Sequence, residues 1–417
     1  MKKLLSSPVE MPLSEIENQI YQNSLKYINE LSLNLMAVKV NDRPQDFVTW
    51  CIELARICRQ DLNMDLLEDA QLPALKKLQT ILENGCSVAQ FKIAHIAPWP
   101  IFLGFIEKQA ENHALIERFK LLDYTRVLRE KPLTELVDEE LLAFSGKHTN
   151  KHDPAAFDFD VEWFASTKGA KVFHQLLLTK AADFDNALAF IPLSGEVTFE
   201  HYQGFVKAYQ LIFTQCTTDK AQGEKAPLSA ATRLLAMRRP DQFIALTNAK
   251  IDLYCQGLSI VKFNNFDFFS YWQKMILTLR SFVWWRQDES GLLVNSSSDD
   301  SKDTTETSVL PKDFELKVWQ NRAILMDLFL FADENVALNS NYIKMRNKAH
   351  AKSLKSSGSS SVGRVRTKES AEMLVDRALA GEGIPEYVIG KRSTIINEVK
   401  GGKSVDHVIG LMRAIFG

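Results

Sequence analysis

Residues spaced as catalytic or metal-binding sets are few in this chain, and each set is incomplete. His148 and His152 stand in HxxxH spacing and are followed by Asp153. On a helix, two imidazoles four residues apart share a face and can hold one zinc ion. Gly146 and Pro154 flank the pair, which predicts a surface loop, and no glutamate follows the first histidine as it does in HExxH. Asp158, Asp160 and Glu162 alternate, so a strand would align their carboxylates for Mg²⁺. Just ahead of a helix starting at Trp163-Phe164, the same acids are partners for the helix dipole. Two Glu-x-Lys triplets, Glu315/Lys317 and Glu398/Lys400, have the ending of a PD-(D/E)xK nuclease motif, in which a carboxylate binds metal and the lysine orients water. Both lie in segments of helical periodicity, and neither has a strand-borne aspartate upstream. GxxxxGK[ST], GxSxG and GxGxxG do not occur, which argues against a P-loop NTPase, an α/β-hydrolase and a standard dinucleotide enzyme. These residues point to no catalytic set, no metal and no cofactor.

Charge is more informative than any of these sets. From Lys344 to the end, 14 Lys/Arg face 7 Asp/Glu, an excess of +7, so with −2 overall the first 343 residues carry −9. Lys344, Arg346, Lys348, Lys352, Lys355, Arg364, Arg366 and Lys368 fall in a stretch, Asn335 to Lys368, that has no acid at all. Unpaired cations on a flexible chain are what sequence-independent affinity for double-stranded DNA uses. The alternative is a solvated spacer. Beyond the arm, Ile384–Val399 and Lys403–Phe416 read as two short helices around Gly401-Gly402. Lys391, Arg392, Ser393 and Thr394 begin a segment able to face a phosphate backbone, as in a helix-turn-helix unit. The bland reading of this module is a helical cap on the main body.

The stretch Ala230-Ala-Thr-Arg-Leu-Leu-Ala-Met-Arg-Arg-Pro-Asp-Gln-Phe243 is the most distinctive in the chain. It reads as a helix with Leu234, Leu235 and Met237 inward, stopped by Pro240, with Arg238 and Arg239 available for phosphate or for the helix C-terminal carbonyls and Asp241. Over Ala230–Trp285 it resembles a helix, arginine-proline-aspartate, phenylalanine segment of uncharacterised bacterial proteins from restriction and phage-defence loci. It also resembles the corresponding helices of helix-hairpin-helix DNA glycosylases. The glycine hairpin and catalytic Lys/Asp arrangement of that family have no counterpart here, so no glycosylase activity is implied. What the first resemblance implies is a place in a defence or DNA-maintenance system.

The elements that must position these residues are mostly helices. Ser14 and Glu17 have capping-box spacing ahead of an apolar stripe through Ile16, Ile20, Tyr27, Leu31, Leu35 and Val38. A second stripe, Phe47, Trp50, Cys51, Leu54, Ile57 and Cys58, follows Pro44. A third helix is predicted from Pro73 to a stop at Gly85, and after the break at Ala97–Pro100 others over 114–128 and 132–144. Helices over 161–180, 198–214, 228–238 and 267–285 are expected next, with short extended pieces at 189–192 and 258–261. A further helix is expected over 314–332. Strands do not alternate with crossover helices, which argues against a doubly wound sheet.

The fold class read from this pattern is mainly α: a multi-domain helical protein with a flexible basic arm and a small C-terminal helical module. Its 417 residues, 46% apolar and 24% charged, are enough for more than one core. The division expected is 1–145, an N-terminal bundle; 155–290, a central helical domain; 291–312, a disordered linker of Ser, Asp and Thr; 313–343, a helical extension; 344–368, the arm; and 369–417, the terminal module. Five scattered cysteines without CxxC spacing predict free thiols in a reducing compartment. The apolar run at the N-terminus stops after Leu5, and no run approaches ~18 apolar residues, so the expectation is a cytoplasmic protein with no membrane partner. The function expected is a DNA-binding, non-ATPase subunit whose acidic body docks other protein subunits. A divergent metal-dependent nuclease and a protein-protein adaptor are the alternatives.

Overall fold

The structure, a computed structural model, describes residues 3–4, 11–31, 39–40, 44–62, 67–108, 113–147, 164–215, 225–287, 311, 313–331, 371–380, 384–400, 405 and 408–409. It is mainly helical, as expected. Beyond the helices, β1 (Lys3–Leu4) and β2 (Lys39–Val40) form one short antiparallel pairing. The chain divides into two compact units, Met1–His350 and Ala351–Gly417.

In the first unit, α1 (Glu15–Glu30) starts at the capping box read from the sequence, with the Ser14 N–H donating to the Glu17 carboxylate at 2.7 Å. In α2 (Phe47–Gln60), Asp46 caps the N-terminus, and all six stripe residues from Phe47 to Cys58 are buried. The third helix departs from expectation. It does not stop at Gly85 but runs from Leu72 to Ile96 as α3. A Cβ at Gly85 would stand 2.8 Å from the Cys51 sulfur, so this glycine lets α2 lie close against α3 rather than ending the helix. The Pro-Trp-Pro break is the joint to α4 (Trp99–Lys108). Next come α5 (Leu115–Leu128) and α6 (Asp138–Ser145), the latter preceded by a 3-10 turn, Leu133–Glu135.

The helices α7 (Lys171–Thr179), α8 (Ala181–Leu188), α9 (Phe199–Gln215), α10 (Leu228–Arg238) and α11 (Ile251–Gly257) follow. Helix α12 begins as Phe268–Ser270, widens to a π-helical segment over Tyr271–Ile276 and ends as Leu277–Arg280. The extended pieces expected at 189–192 and 258–261 are turns and loops instead. Each directly follows a helix C-terminus, and neither meets another strand that could accept its backbone hydrogen bonds.

The expected division at 145–155 does not separate two cores. One continuous apolar core takes in residues from Ile20 to Leu330, because helices from both sides of that boundary pack on one another, α6 against α7 and α10 among them. Nor are residues 313–331 an extension. After α13 (Phe314–Gln320), the 3-10 segment Ile324–Phe331 is threaded through the middle of the unit. Phe329 stacks on Phe105 at 4.0 Å, the Ile324 N–H donates to the Pro240 carbonyl at 3.0 Å, and Asp327 pairs with Arg118 of α5 at 2.6 Å. Seven of the eight residues of Ile324–Phe331 are apolar, a composition that belongs in a core rather than on a surface helix.

The second unit is built from α14 (Ala371–Leu379), α15 (Glu386–Ile389) and α16 (Arg392–Lys400). It has its own small apolar core, in which Val375, Val388, Ile395 and Val408 are essentially inaccessible.

Candidate functional site

Five segments of the first unit converge on a cavity of about 390 Å³. The turn after α8 brings Gly195 and Glu196, the end of α10 brings Arg239, Asp241 and Gln242, α12 ends in Arg280, and Trp285, Trp319 and Arg322 come from the two segments that follow. Three guanidinium groups thus face two carboxylates.

Each arginine is held differently. Arg239 is pinned: its Nε and one Nη donate to the two oxygens of Asp241, both at 2.8 Å, and its remaining donors reach the carbonyls of Pro192 and Gly195. Burial alone would raise the Asp241 carboxyl, but the hydrogen bonds and charge of Arg239 prevail and hold it below the usual carboxylate range. Arg280 lies over the Trp272 ring at 4.9 Å and donates to the Val197 carbonyl and to Gln242 Oε1, each at 2.9 Å. Its Nε is buried without a hydrogen bond, and its other contact, to Glu196 at 3.2 Å, is with a side chain 78% exposed. Burial lowers the pKa of Arg280 and the neighbouring acids offset this in part. Arg322, 6% exposed, lies over both Trp285 and Trp319, 4.7 and 4.4 Å from the ring centres, and donates to the Trp319 carbonyl at 2.7 Å. Flat cations fixed by indole faces are preorganised to receive oxyanions.

Of the residues singled out from the sequence, Arg239 lines this cavity. Arg238 does not. Its guanidinium is turned to the carbonyls of Ile191 and Arg129, 3.4 and 3.0 Å away, and burial lowers its pKa. In the second unit, Lys391 and Arg392 are exposed, with Arg392 in a bidentate pair with Asp376. The eight arm cations, His148, His152, Asp153, Asp158, Asp160 and Glu162 lie outside the described residues. The first Glu-x-Lys triplet is divided: Glu315 accepts from the Trp99 indole at 2.7 Å, whereas Lys317 reaches Asp123 at 2.6 Å. Among the described residues, no three acidic, histidine or cysteine side chains are grouped to hold a metal. Arg280, Arg322 and the tryptophans were missed by sequence reasoning. Trp319-x-x-Arg322 is i,i+3 spacing, which puts an indole and a guanidinium on one side of a helical turn, and that was the available signal.

A second polar cluster resembles a hydroxyl-histidine pair. The Nδ1 of His174 is 3.4 Å from the Ser145 hydroxyl, and its Nε2 is 3.0 Å from both the hydroxyl and the carbonyl of Thr167. A carbonyl only accepts, so Nε2 carries the proton. The ring is 2% exposed, and the Thr167 hydroxyl is spent on the Ser145 carbonyl at 2.6 Å. The group is therefore a structural junction. Burial, only partly countered by the Thr167 carbonyl, lowers the His174 pKa to about 4. The unfolded chain takes up this proton near pH 6.5 and the folded chain does not, so stability is highest above pH 6.5 and falls as pH drops toward 4. His174→Gln should remove roughly 2 kcal/mol of that decline, allowing for partial screening by the polar surroundings. Urea unfolding at pH 7.5 and pH 5 checks it. Parallel parent and variant curves would show that another group titrates there.

No helix among the described residues is long and apolar enough to cross a membrane. No family model, curated protein or solved structure matches the chain.

Proposed function

We propose that the protein is a DNA-associated, non-ATPase component of a larger assembly, contacting duplex phosphates through its basic arm and meeting protein partners through the acidic body. One observation carries this reading: eight Lys/Arg and no Asp/Glu between Asn335 and Lys368, in a chain whose first 343 residues carry −9. Both ends of this stretch adjoin units that hold their own cores, and Lys391 and Arg392 add exposed cations on the second unit. The wider setting, a defence or DNA-maintenance system, rests on the resemblance of Ala230–Trp285. Fluorescence anisotropy with labelled duplexes of unrelated sequence tests the DNA contact. Binding should differ little among sequences and weaken steeply with salt, with log K against log[salt] falling at a slope of roughly −5 to −7 if most arm cations meet phosphates. No binding at low salt would remove the proposal.

A further inference from the structure

We propose that the outward face of α9 is a self-association surface, on which a second copy of this chain docks antiparallel about a twofold axis beside Gly204. The surface lies within the first unit, uses none of the arm residues, and stands whether or not the arm binds duplex DNA.

Helix α9 buries Tyr202, Phe205, Tyr209, Ile212 and Phe213. The opposite side of such a helix is ordinarily polar. Here it borders a hollow of about 470 Å³ lined by Phe190, Gly204, Ala208 and Leu211, with Glu200 and Lys207 also on its wall. Phe190 is 48% exposed and Leu211 52%. Phe190 lies close on α9 only because residue 204 is glycine, since a Cβ there would stand 2.4 Å from the ring. These side chains form one apolar strip rather than scattered single residues, and an apolar strip edged by charges is the anatomy of an association surface.

The charges say which partner fits. Glu200 and Lys207 are both exposed and stand seven residues apart, so they share a face of the helix about 10.5 Å from each other. Their midpoint falls between Gln203 and Gly204. A twofold axis through that point, with the two helices antiparallel, sets Glu200 of each copy against Lys207 of the other and brings the two Phe190 rings together beside it. The strip is thereby complementary to itself, as a twofold interface must be. The exchanged ion pairs fix direction and register, while the apolar strip supplies most of the affinity. One helix face and one turn residue make a small interface, so micromolar affinity is expected.

Sedimentation equilibrium of the full-length protein, freed of nucleic acid, should show reversible dimers across the micromolar range. Leu211→Gln should weaken dimerisation roughly tenfold or more, because symmetry counts each substitution twice. Lys207→Glu sets two like-charged pairs across the axis and should weaken it by a similar factor. Adding Glu200→Lys to that variant should restore dimerisation to within a few-fold of the parent, a recovery that only the antiparallel, twofold register provides. All three positions are exposed, and circular dichroism checks that each variant keeps its helices. A parent that stays monomeric overturns the proposal and leaves the strip to a different protein. A dimer of unchanged strength in Leu211→Gln overturns it as well, as does a folded double exchange that fails to recover.

Discussion

Replacing Arg233 by methionine is expected to lower the unfolding free energy by roughly 3–5 kcal/mol, near the upper end for a single substitution. Arg233 lies in α10 and is completely inaccessible, yet it touches the end of a different helix. Its Nη2 and Nε donate to the carbonyls of Ala143 and Phe144 at the C-terminus of α6, at 3.0 and 3.2 Å, and its Nη1 donates to the Phe164 carbonyl at 2.8 Å. A helix leaves its last carbonyls without intrahelical partners and gathers partial negative charge there. Here the Thr167 hydroxyl satisfies Ser145, the Thr167 N–H satisfies Gly146, and Arg233 satisfies the two carbonyls before them. The same contact holds Phe164, whose φ of +58° a bulky residue rarely adopts. Methionine fills much of the volume but takes the guanidinium donors from the buried Phe144 and Phe164 carbonyls, at about 1–3 kcal/mol each before relaxation, and leaves the Ala143 carbonyl with the Gly146 N–H at 3.3 Å. Arg233→Lys keeps the charge with fewer directed donors and should lose about half as much. Chemical denaturation measures both. A loss under about 1 kcal/mol for methionine would mean that water replaces the guanidinium and that the junction is not held by it.

Changing all eight arm cations, Lys344 through Lys368, to glutamine is expected to weaken duplex binding on the order of a thousandfold at low salt and to flatten most of its salt dependence, since each phosphate contact contributes about 0.9 to the slope. Deleting residues 344–417 should do the same and leave a folded first unit. The described core of that unit ends at Leu330, and the second unit buries Val375, Val388 and Ile395 among its own residues. Anisotropy and thermal unfolding of the two variants separate the possibilities. Binding that survives neutralisation would make the arm a spacer and move the contact to Lys391 and its neighbours. A truncated chain that melts far below the parent would show that the last helices contribute to the stability of the first unit.

The helical class, the start of α1, the buried stripe of α2 and the charge asymmetry are legible along the chain, because each depends on residues within a few turns of one another: a cap and its N3 partner, an apolar face at helical spacing, a run without acids. Tertiary structure alone decided the rest. Gly85 reads locally as a stop, and only the approach of Cys51 makes it a packing position inside a longer helix. Residues 314–332 read as one more helix with an apolar side, and only the passage of Asp327 and Phe329 beside Phe91, Phe105 and Arg118 places Ile324–Phe331 in the core. Arg238 and Arg239 are equivalent cations in the sequence, yet the fold spends one on loop carbonyls and places the other in a cavity with Arg280 and Arg322, residues 41 and 83 positions further on. Local pattern tells which face of a helix is apolar. Which faces meet, and which buried charges then find partners, is settled by long-range packing, since a cation is tolerated inside only where distant carbonyls, carboxylates or aromatic faces come together to receive it.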